Sequence, residues 1–348
     1  MIKRGWFIFI LFFSSLANKL YGQACPACSN PALQSSEKLE AGVDTLQKGF
    51  LRFTLNVTNG FDYQGGHPNY RGLTSDGQVI TVPMHEHIVS LDFIRTEVSL
   101  EYTFATNWSA WLRIPYDIKI QKAYIDFPES VTKQQEENII RNRDIHHRNE
   151  NYYGISDLRF LLSKRVNGFI GKNGRLDIAG GFSLPTGKTE DNPLTAIAAG
   201  KKHLHIQFGT GTFDPLLEFH YSNVLTRKIS IAFFTINKFP FYKNDKGYKG
   251  PLETTTGIST GYRLMKNLIL RGTVANFSQS YAKWDEVNDP NSGLVSYNGN
   301  LGLTWVSKNG LMITPGYRFP IYQKTLSSGG DTFKYGPTFL LNISFPAN

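Results

Sequence analysis

Residues 338–345 read Thr338-Phe339-Leu340-Leu341-Asn342-Ile343-Ser344-Phe345, and their alternation decides the fold. In an extended strand the odd-numbered residues from Phe339 to Phe345 share one face, whereas Thr338, Asn342 and Ser344 share the other. A strand with one apolar and one polar face can lie between lipid and water in a transmembrane β-barrel. Since soluble β-sandwiches also alternate, the connections between strands must separate the two fold classes.

The same alternation recurs along the chain and predicts an all-β fold, an antiparallel up-and-down barrel of about twelve strands. The strands are predicted near residues 49–59, 88–105, 109–121, 153–166, 174–184, 215–225, 228–238, 253–264, 268–278, 297–306, 310–321 and 333–345. The second segment is too long for one membrane crossing, and its apolar parity changes between Phe93 and Val98. We therefore expect a β-bulge there and an extension beyond the bilayer.

The predicted connections alternate strictly between short and long. Five are tight, near Asn107 and within residues 167–174, 225–227, 265–267 and 307–309. Six are long, at about residues 60–87, 121–152, 185–214, 239–252, 279–296 and 322–332. This pattern is typical of a barrel with one periplasmic and one outward rim, and it favours the membrane fold over a sandwich.

The N-terminus has the features of a secretory signal. Lys3 and Arg4 precede an apolar run, and the small residues Gly22 and Ala24 suit cleavage before Cys25. We therefore divide the chain into a signal peptide (1–24), a polar periplasmic segment that serves as a tether or a plug (25–48), and the barrel (49–348). Residues 25–48 are also the predicted contact for any periplasmic partner.

Composition narrows the partners. Removing the three basic residues of the signal lowers the formal charge from +9 to +6, and no basic cluster with interleaved aromatics indicates nucleic acid. Aromatic residues make up 14% of the chain, and several near strand ends predict an interfacial girdle against outer-membrane lipid. These are Trp108, Tyr116, Tyr262, Tyr297, Trp305, Tyr317 and Tyr335. The expected location is the outer membrane of a Gram-negative bacterium.

Three local motifs carry a family resemblance: GISDL at residues 154–158, GFSLPTGK at 181–188 and GTGTFDP at 209–215. Together they resemble the outer-membrane barrels of the MetA-pathway of phenol degradation family, over roughly residue 153 to the C-terminus. The resemblance implies a channel or transporter for small, often hydrophobic or aromatic compounds. From the residues themselves, the glycines, Pro185 and Asp214 indicate tight turns at the rim rather than ligand binding.

Placing apolar residues toward lipid leaves many charges facing the lumen, because a charge at the bilayer midplane costs about 2–4 kcal/mol. The predicted pore-lining residues are Arg52, Glu97, Glu101, Arg113, Asp117, Lys119, Asp157, Arg159, Arg175, Asp177, Glu218, His220, Arg318 and Lys334. Either they form a field that orients solutes in a pore, or they pair to fill and stiffen a small barrel.

Cysteines and histidines raise a second kind of site. Cys25 and Cys28 indicate a local disulfide or a metal site in an oxidising compartment. The spacing of His85 with His87, and of His203 with His205, places each pair on one side of an extended segment, as copper or zinc sites require. Solvated loop histidines are the alternative. No cofactor is expected beyond a metal ion at these pairs.

The sequence predicts passive passage of small solutes. No Gly-x-Ser-x-Gly elbow is present, and Ser156 beside Asp157 has no nearby candidate base in the sequence, so no enzyme activity is expected. The alternative function is a non-transporting outer-membrane barrel with a structural, metal-binding or partner-binding role. Within the second long connection, Thr132-Lys133-Gln134-Gln135 predicts a capped surface helix that either lies over the pore mouth or is solvated decoration.

Overall fold

A computed structural model describes residues 47–198, 207–327 and 332–347, which are mostly β-strand. The strands are β1 (Leu51–Leu73), β2 (Val79–Ala105), β3 (Trp108–Asp126), β4 (Glu150–Ile155), β5 (Leu158–Asn167), β6 (Gly174–Leu184), β7 (Asp214–Val224), β8 (Ile229–Lys238), β9 (Tyr248–Lys249), β10 (Glu253–Met265), β11 (Leu268–Gln279), β12 (Lys283–Trp284), β13 (Val287–Asn288), β14 (Leu294–Val306), β15 (Met312–Thr325), β16 (Thr332–Lys334) and β17 (Thr338–Pro346). The two described helices are α1 (Lys133–His146) and α2 (Pro193–Ala198).

The barrel wall is a closed ring of twelve antiparallel positions, as the sequence predicts. The order around the ring is β1-β2-β3-β5-β6-β7-β8-β10-β11-β14-β15-β17, and β1 closes it by pairing with both β2 and β17. Two wall positions are split strands. β4 and β5 both pair with β3 on either side of a break at residues 156–157, and β16 and β17 both pair with β1.

The two rims differ as predicted. All five tight turns lie at one end, between β2 and β3, β5 and β6, β7 and β8, β10 and β11, and β14 and β15. Both ends of the barrel chain lie at the same rim, where Gly49 N–H donates to Thr103 O at 2.8 Å and Ala347 N–H donates to Leu51 O at 2.9 Å. We call this end the short-turn rim and the opposite end the long-loop rim.

The predicted long loop at residues 60–87 is wrong, because β1 and β2 continue as one paired hairpin that turns only at residues 74–78. The bulge predicted in β2 is also absent: β2 pairs with β3 without a shift from Glu86 to Thr103. The irregularity lies in β1 instead, where Phe61 and Asp62 face the single residue Asp92 and Asp62 has φ +52°. The expected extension of β2 beyond one crossing is confirmed by its 27 residues.

Helix α1 follows β3 and confirms the predicted capping box. The Thr132 hydroxyl accepts from Gln135 N–H, and the Gln135 side chain accepts from Thr132 N–H at 3.0 Å. The helix packs against the extended β1–β2 hairpin, where Ile139 is fully buried and Arg141 Nε donates to Leu73 O. It is therefore docked on the protein rather than solvated.

A small sheet of β9, β12 and β13 lies in the loops of the long-loop rim.

The girdle aromatics Trp108, Tyr116, Tyr262, Tyr297, Trp305 and Tyr317 are exposed, as predicted. Tyr335 is buried, and the neighbouring Lys334, predicted to face the lumen, is exposed and pairs with Gln64. Both predictions are wrong for one reason. The strand is interrupted at residues 335–337, so the alternation of inward and outward side chains in β17 does not continue in register into β16. Within the described residues, no helix has the length and apolar content to cross a membrane.

Gly181 is required by the β5–β6 pairing. A Cβ atom there would lie 1.9 Å from Phe160 O, a backbone atom of the neighbouring strand, whereas a Cβ at Gly180 would meet nothing nearer than Leu216 O at 4.0 Å. We expect Gly181→Ala to separate the two strands locally and lower the urea midpoint of the refolded barrel. Gly180→Ala is the matched control and should leave it nearly unchanged. Equal midpoints for both variants would contradict this account.

Candidate functional site in the barrel interior

The interior charges form paired groups. Of the fourteen residues predicted to line the pore, twelve lie in the interior and are buried or nearly so: Arg52, Glu97, Glu101, Arg113, Asp117, Lys119, Arg159, Arg175, Asp177, Glu218, His220 and Arg318. Lys334 is exposed, and Asp157 lies at the strand break toward the long-loop rim. The structure thus places twelve of the fourteen inside the barrel, and their role in solute passage stays a prediction.

One of these contacts joins Arg113 of β3 to Glu218 of β7, with β5 and β6 between them along the wall. Two N–H···O contacts of 2.6 and 2.9 Å make the pair bidentate, and both side chains are buried. His220 Nε2 lies 3.2 Å from the same carboxylate. A fork-to-fork arginine–carboxylate pair is geometrically specific and strong. It therefore fixes two non-adjacent parts of the wall across the lumen.

Neighbouring wall strands are joined in the same way. Arg95 donates to both carboxylate oxygens of Asp117 at 2.7 and 2.6 Å, and Ser156 Oγ donates to Asp117 at 2.5 Å. Arg165 and Asp177, direct partners in the β5–β6 register, are 2.7 Å apart. The sequence prediction missed Arg95 and Arg165. Arg95 lies two residues from Glu97 in β2, and Arg165 lies six residues from Arg159 in β5, so each shares the inward face of a residue that was predicted.

Further contacts complete the polar layer. Arg52 and Glu101 are register partners at 3.6 Å, and Arg159 reaches Glu97 at 3.7 Å from the strand beyond β3. Lys119 Nζ donates to Gln207 O at 2.9 Å and lies over the ring of Phe208. These pairs support the filling and stiffening interpretation of the interior charges over an unobstructed charged pore.

Apolar residues form three further clusters inside the barrel. The outer cluster, toward the long-loop rim, draws on β1, β2, β11 and β14 and consists of Tyr63, Leu91, Phe93, Phe277, Leu294 and Tyr335. The middle cluster consists of Phe234, Ile236 and Ala275, and Leu340 of β17 packs against it from across the lumen. The third consists of Leu161, Ala179 and Leu216, with Trp111 packed on it. Apolar side chains from wall strands that are not neighbours therefore meet inside the barrel.

A small cavity lies beside the outer cluster. Its lining is Tyr63, Asn298, Arg318, Pro320, Tyr335, Gly336 and Thr338. The Tyr63 hydroxyl and Thr338 Oγ1 are 2.6 Å apart. Arg318 is 5% exposed, forms no ion pair within the described residues, and its Nε has no hydrogen-bond partner there. The cavity thus combines two aromatic walls with a buried cation.

The three sequence motifs meet at Asp157. Its carboxylate accepts Gly187 N–H at 2.9 Å and Thr210 N–H at 2.8 Å, and it also accepts the Thr210 hydroxyl at 3.1 Å. Asp214 accepts the hydroxyls of Thr210 and Thr212 at 2.8 and 2.6 Å. A Cβ at Gly209 would lie 2.1 Å from Asp157 Oδ1, so only glycine fits there. The motifs therefore form a structural clasp, as their turn chemistry indicated.

The predicted cysteine and histidine sites divide. Cys25, Cys28, His203 and His205 lie outside the described residues, as do the predicted signal peptide and nearly all of the 25–48 segment. His85 and His87 are adjacent on one face of β2 and buried, with their Nε2 atoms 3.1 Å apart. The prediction that this pair shares one side of an extended segment is thus met, and metal binding there is untested.

Asp157→Asn should loosen the clasp, because each carboxylate oxygen now accepts one backbone N–H and the amide replaces one of these oxygens with an N–H₂ group. Hydrogen bonds to a charged acceptor contribute about 1.5–3 kcal/mol each, so we expect a loss of at least about 1.5 kcal/mol in unfolding free energy. Urea unfolding in detergent measures it. Asp245→Asn, at an exposed acid in a loop of the same rim, is the control. A clasp variant as stable as this control would argue against the structural role.

No protein-family model matches the chain, and no curated protein matches its sequence. Among solved structures, an outer-membrane channel from Pseudomonas putida F1 is 8% identical, aligns over 88% of this chain and 98% of its own, and gives a TM-score of 0.56. The Pseudomonas putida toluene transporter TodX is 10% identical over 94% of each chain, with a TM-score of 0.40. The first similarity shows the fold, which is that of an outer-membrane β-barrel.

Proposed function

We propose that this chain is an outer-membrane channel for the passive passage of small solutes, exported across the inner membrane of a Gram-negative bacterium by residues 1–24. The observation that carries the proposal is the layered lumen of a closed barrel: an aromatic outer cluster and cavity above a layer of paired charges. Such a layering gives a solute first an apolar surface with few polar groups, and then a constriction.

The ion-paired layer acts as the closed constriction of this channel. Arg113 and Glu218 join wall strands that are not neighbours, so a solute passes only when the pair separates or moves aside. Opening requires water or solute groups to replace two charge-assisted hydrogen bonds. We therefore expect the wild-type barrel to conduct in rare, brief openings rather than as a permanently open pore.

The cavity suggests the class of solute. Tyr63 and Tyr335 provide aromatic surface, and the guanidinium of Arg318 lies buried beside them without a carboxylate partner in the described residues. A buried cation is stabilised by an anion in hydrogen-bond range. The proposed solutes are therefore small aromatic or other weakly polar compounds that carry one anionic group. No residue of this path needs to perform chemistry, in keeping with a channel that has no enzyme activity.

A second candidate function is a non-transporting barrel that binds a partner at residues 25–48. The observation that favours it is the closed interior, together with the position of Gly49 at the short-turn rim, where the preceding segment attaches to the barrel on the periplasmic side. In this case the paired charges serve stiffness alone.

Planar-bilayer recordings of the double variant Arg113→Ser/Glu218→Ser distinguish the two functions. Removing both partners together avoids leaving one charge buried and unpaired, which would itself cost about 3–5 kcal/mol. We expect longer openings and a larger mean conductance than in wild type. Lys243→Ser/Asp285→Ser, which removes an exposed ion pair in the outer loops, is the matched control and should conduct like wild type. A folded double variant that stays silent would favour the non-transporting role.

Arg318→Met tests the solute class in the same recordings. A hydrogen bond to a charged group contributes about 1.5–3 kcal/mol, so block of ion current by benzoate should require roughly 10- to 100-fold more benzoate in the variant. Arg263→Met, at an exposed arginine near the short-turn rim, controls for the loss of one positive charge. If benzoate blocks all three proteins equally, or none of them, Arg318 does not bind the solute.

A further inference from the structure

Three histidines from distant parts of the chain meet at the extended hairpin. His67 on β1 and His87 on β2 are direct partners in the register, so their side chains leave the sheet on the same face. His147, the C-cap residue of α1, meets both of them: its ring centroid lies 5.1 Å from that of His67 and 5.9 Å from that of His87. One potential ligand nitrogen from each residue lies within 4.8 Å of the other two.

The local fold positions these rings. The β1–β2 pairing fixes His67 opposite His87, and α1 is docked on the hairpin through the buried Ile139. At the end of this helix, the backbone N–H of His147 donates to Arg143 O at 2.6 Å. His87 and His147 are buried and His67 is partly buried. The three imidazoles are thus held by a paired sheet and a packed helix rather than by loops.

A fourth histidine orients the second. His85 Nδ1 lies 2.9 Å from Pro83 O, and since a carbonyl only accepts, Nδ1 carries the proton. In the neutral ring His85 Nε2 is then an acceptor, and its 3.1 Å contact makes His87 Nε2 the donor. The lone pair of His87 therefore resides on Nδ1. Metal-bound histidines commonly donate their other ring N–H to such a partner, which fixes the tautomer and the ring orientation.

The site lies outside the bilayer. His87 is eighteen residues along β2 from Ala105 at the short-turn rim. At about 3.3 Å per residue and a tilt of about 40°, that is roughly 45 Å, beyond an apolar band about 25 Å tall.

The surrounding charges permit a cation. Arg143, four residues before His147 on α1, pairs with Asp144 at 2.7 Å. Arg148, one residue beyond His147, pairs with Glu150. The C-terminal end of α1, at the site, carries a partial negative charge. The two arginines are thus locally neutralised, and the helix end favours a cation.

We propose that His67, His87 and His147 bind a divalent transition-metal ion, Zn²⁺ foremost, with His85 as the positioning residue for His87. Three neutral imidazoles suit zinc, which takes nitrogen ligands at about 2.0–2.1 Å and leaves a fourth position for water or another ligand. The ligand atoms of a tetrahedral zinc lie about 3.3 Å apart. Side-chain rotations that move each histidine nitrogen by about 1 Å would bring the three nitrogens to this spacing. The ion would fasten α1 to the hairpin over the lumen side of the barrel.

Zinc titration of the purified mature chain tests the site. After dialysis against a chelator, the protein is titrated with ZnCl₂ by calorimetry, and bound zinc is counted by mass spectrometry. We expect one tightly bound equivalent that survives in Cys25→Ser/Cys28→Ser, which removes the other candidate metal ligands near the N-terminus. His67→Ala and His147→Ala should each weaken binding at least about 100-fold, and His85→Ala about 10- to 100-fold.

A second readout separates ligation from folding. Co²⁺ substituted into a tetrahedral nitrogen site gives intense visible absorption, and we expect these bands in wild type and in Cys25→Ser/Cys28→Ser but not in His67→Ala. Heat-modified gel mobility reports whether each variant forms a barrel. The proposal is overturned if wild type binds no zinc after dialysis, if folded His67→Ala and His147→Ala retain wild-type affinity, or if the cysteine variant loses the ion.

Discussion

Closure of the backbone hydrogen-bond ladder is the constraint on which the whole structure depends. Lipid offers no partner for an N–H or C=O group, so a membrane sheet must leave no edge. Here β1 accomplishes this by pairing along one side with β17 and along the other with β2. Because the ring is closed, each wall residue faces either lipid or lumen, and the alternation visible in residues 338–345 follows directly.

The inward half of that alternation then has to be accommodated in a narrow space. Twelve strands leave a lumen that side chains from opposite walls can reach, as Leu340 and the middle cluster illustrate. Charges placed there must be paired, since an isolated buried ion is costly. The bidentate pair of Arg113 and Glu218 satisfies this requirement, and in the proposed channel it is also the constriction. In such a barrel, stability of the wall and resistance to permeation have the same physical origin, and any transport depends on how easily the pairs exchange partners.

The sequence was sufficient for what lipid dictates and insufficient elsewhere. Rim turns, strand number and the inward direction of twelve charged residues follow from period-two patterning within the apolar band. Past that band, no rule requires apolar residues on one face, so the paired strands at residues 60–73 read as a loop with Gly65, Gly66 and Pro68. Likewise, the break before β17 reverses the parity of Lys334 and Tyr335, and nothing in the periodicity marks it. The sequence predicted that the motifs around Asp157 form turns. It could not predict that all three motifs meet at this carboxylate, because that contact depends on the folded barrel.

Wall residues within the apolar band are explained by the fold, whereas some residues beyond the band are not. A charge on an inward wall position is a consequence of the lipid outside, so its presence alone says little about function. Lipid does not dictate the residue type in the extended hairpin and α1, where polar and apolar residues are equally tolerated. The fold therefore does not require His67, His85, His87 and His147. Four imidazoles packed together there, three of them buried, contribute less apolar packing than leucine or phenylalanine would. Arg318, buried beside aromatic rings without an acidic partner in the described interior, is the corresponding case within the wall. Residues that lower stability at positions where the fold does not require them are the strongest indicators of function in this barrel.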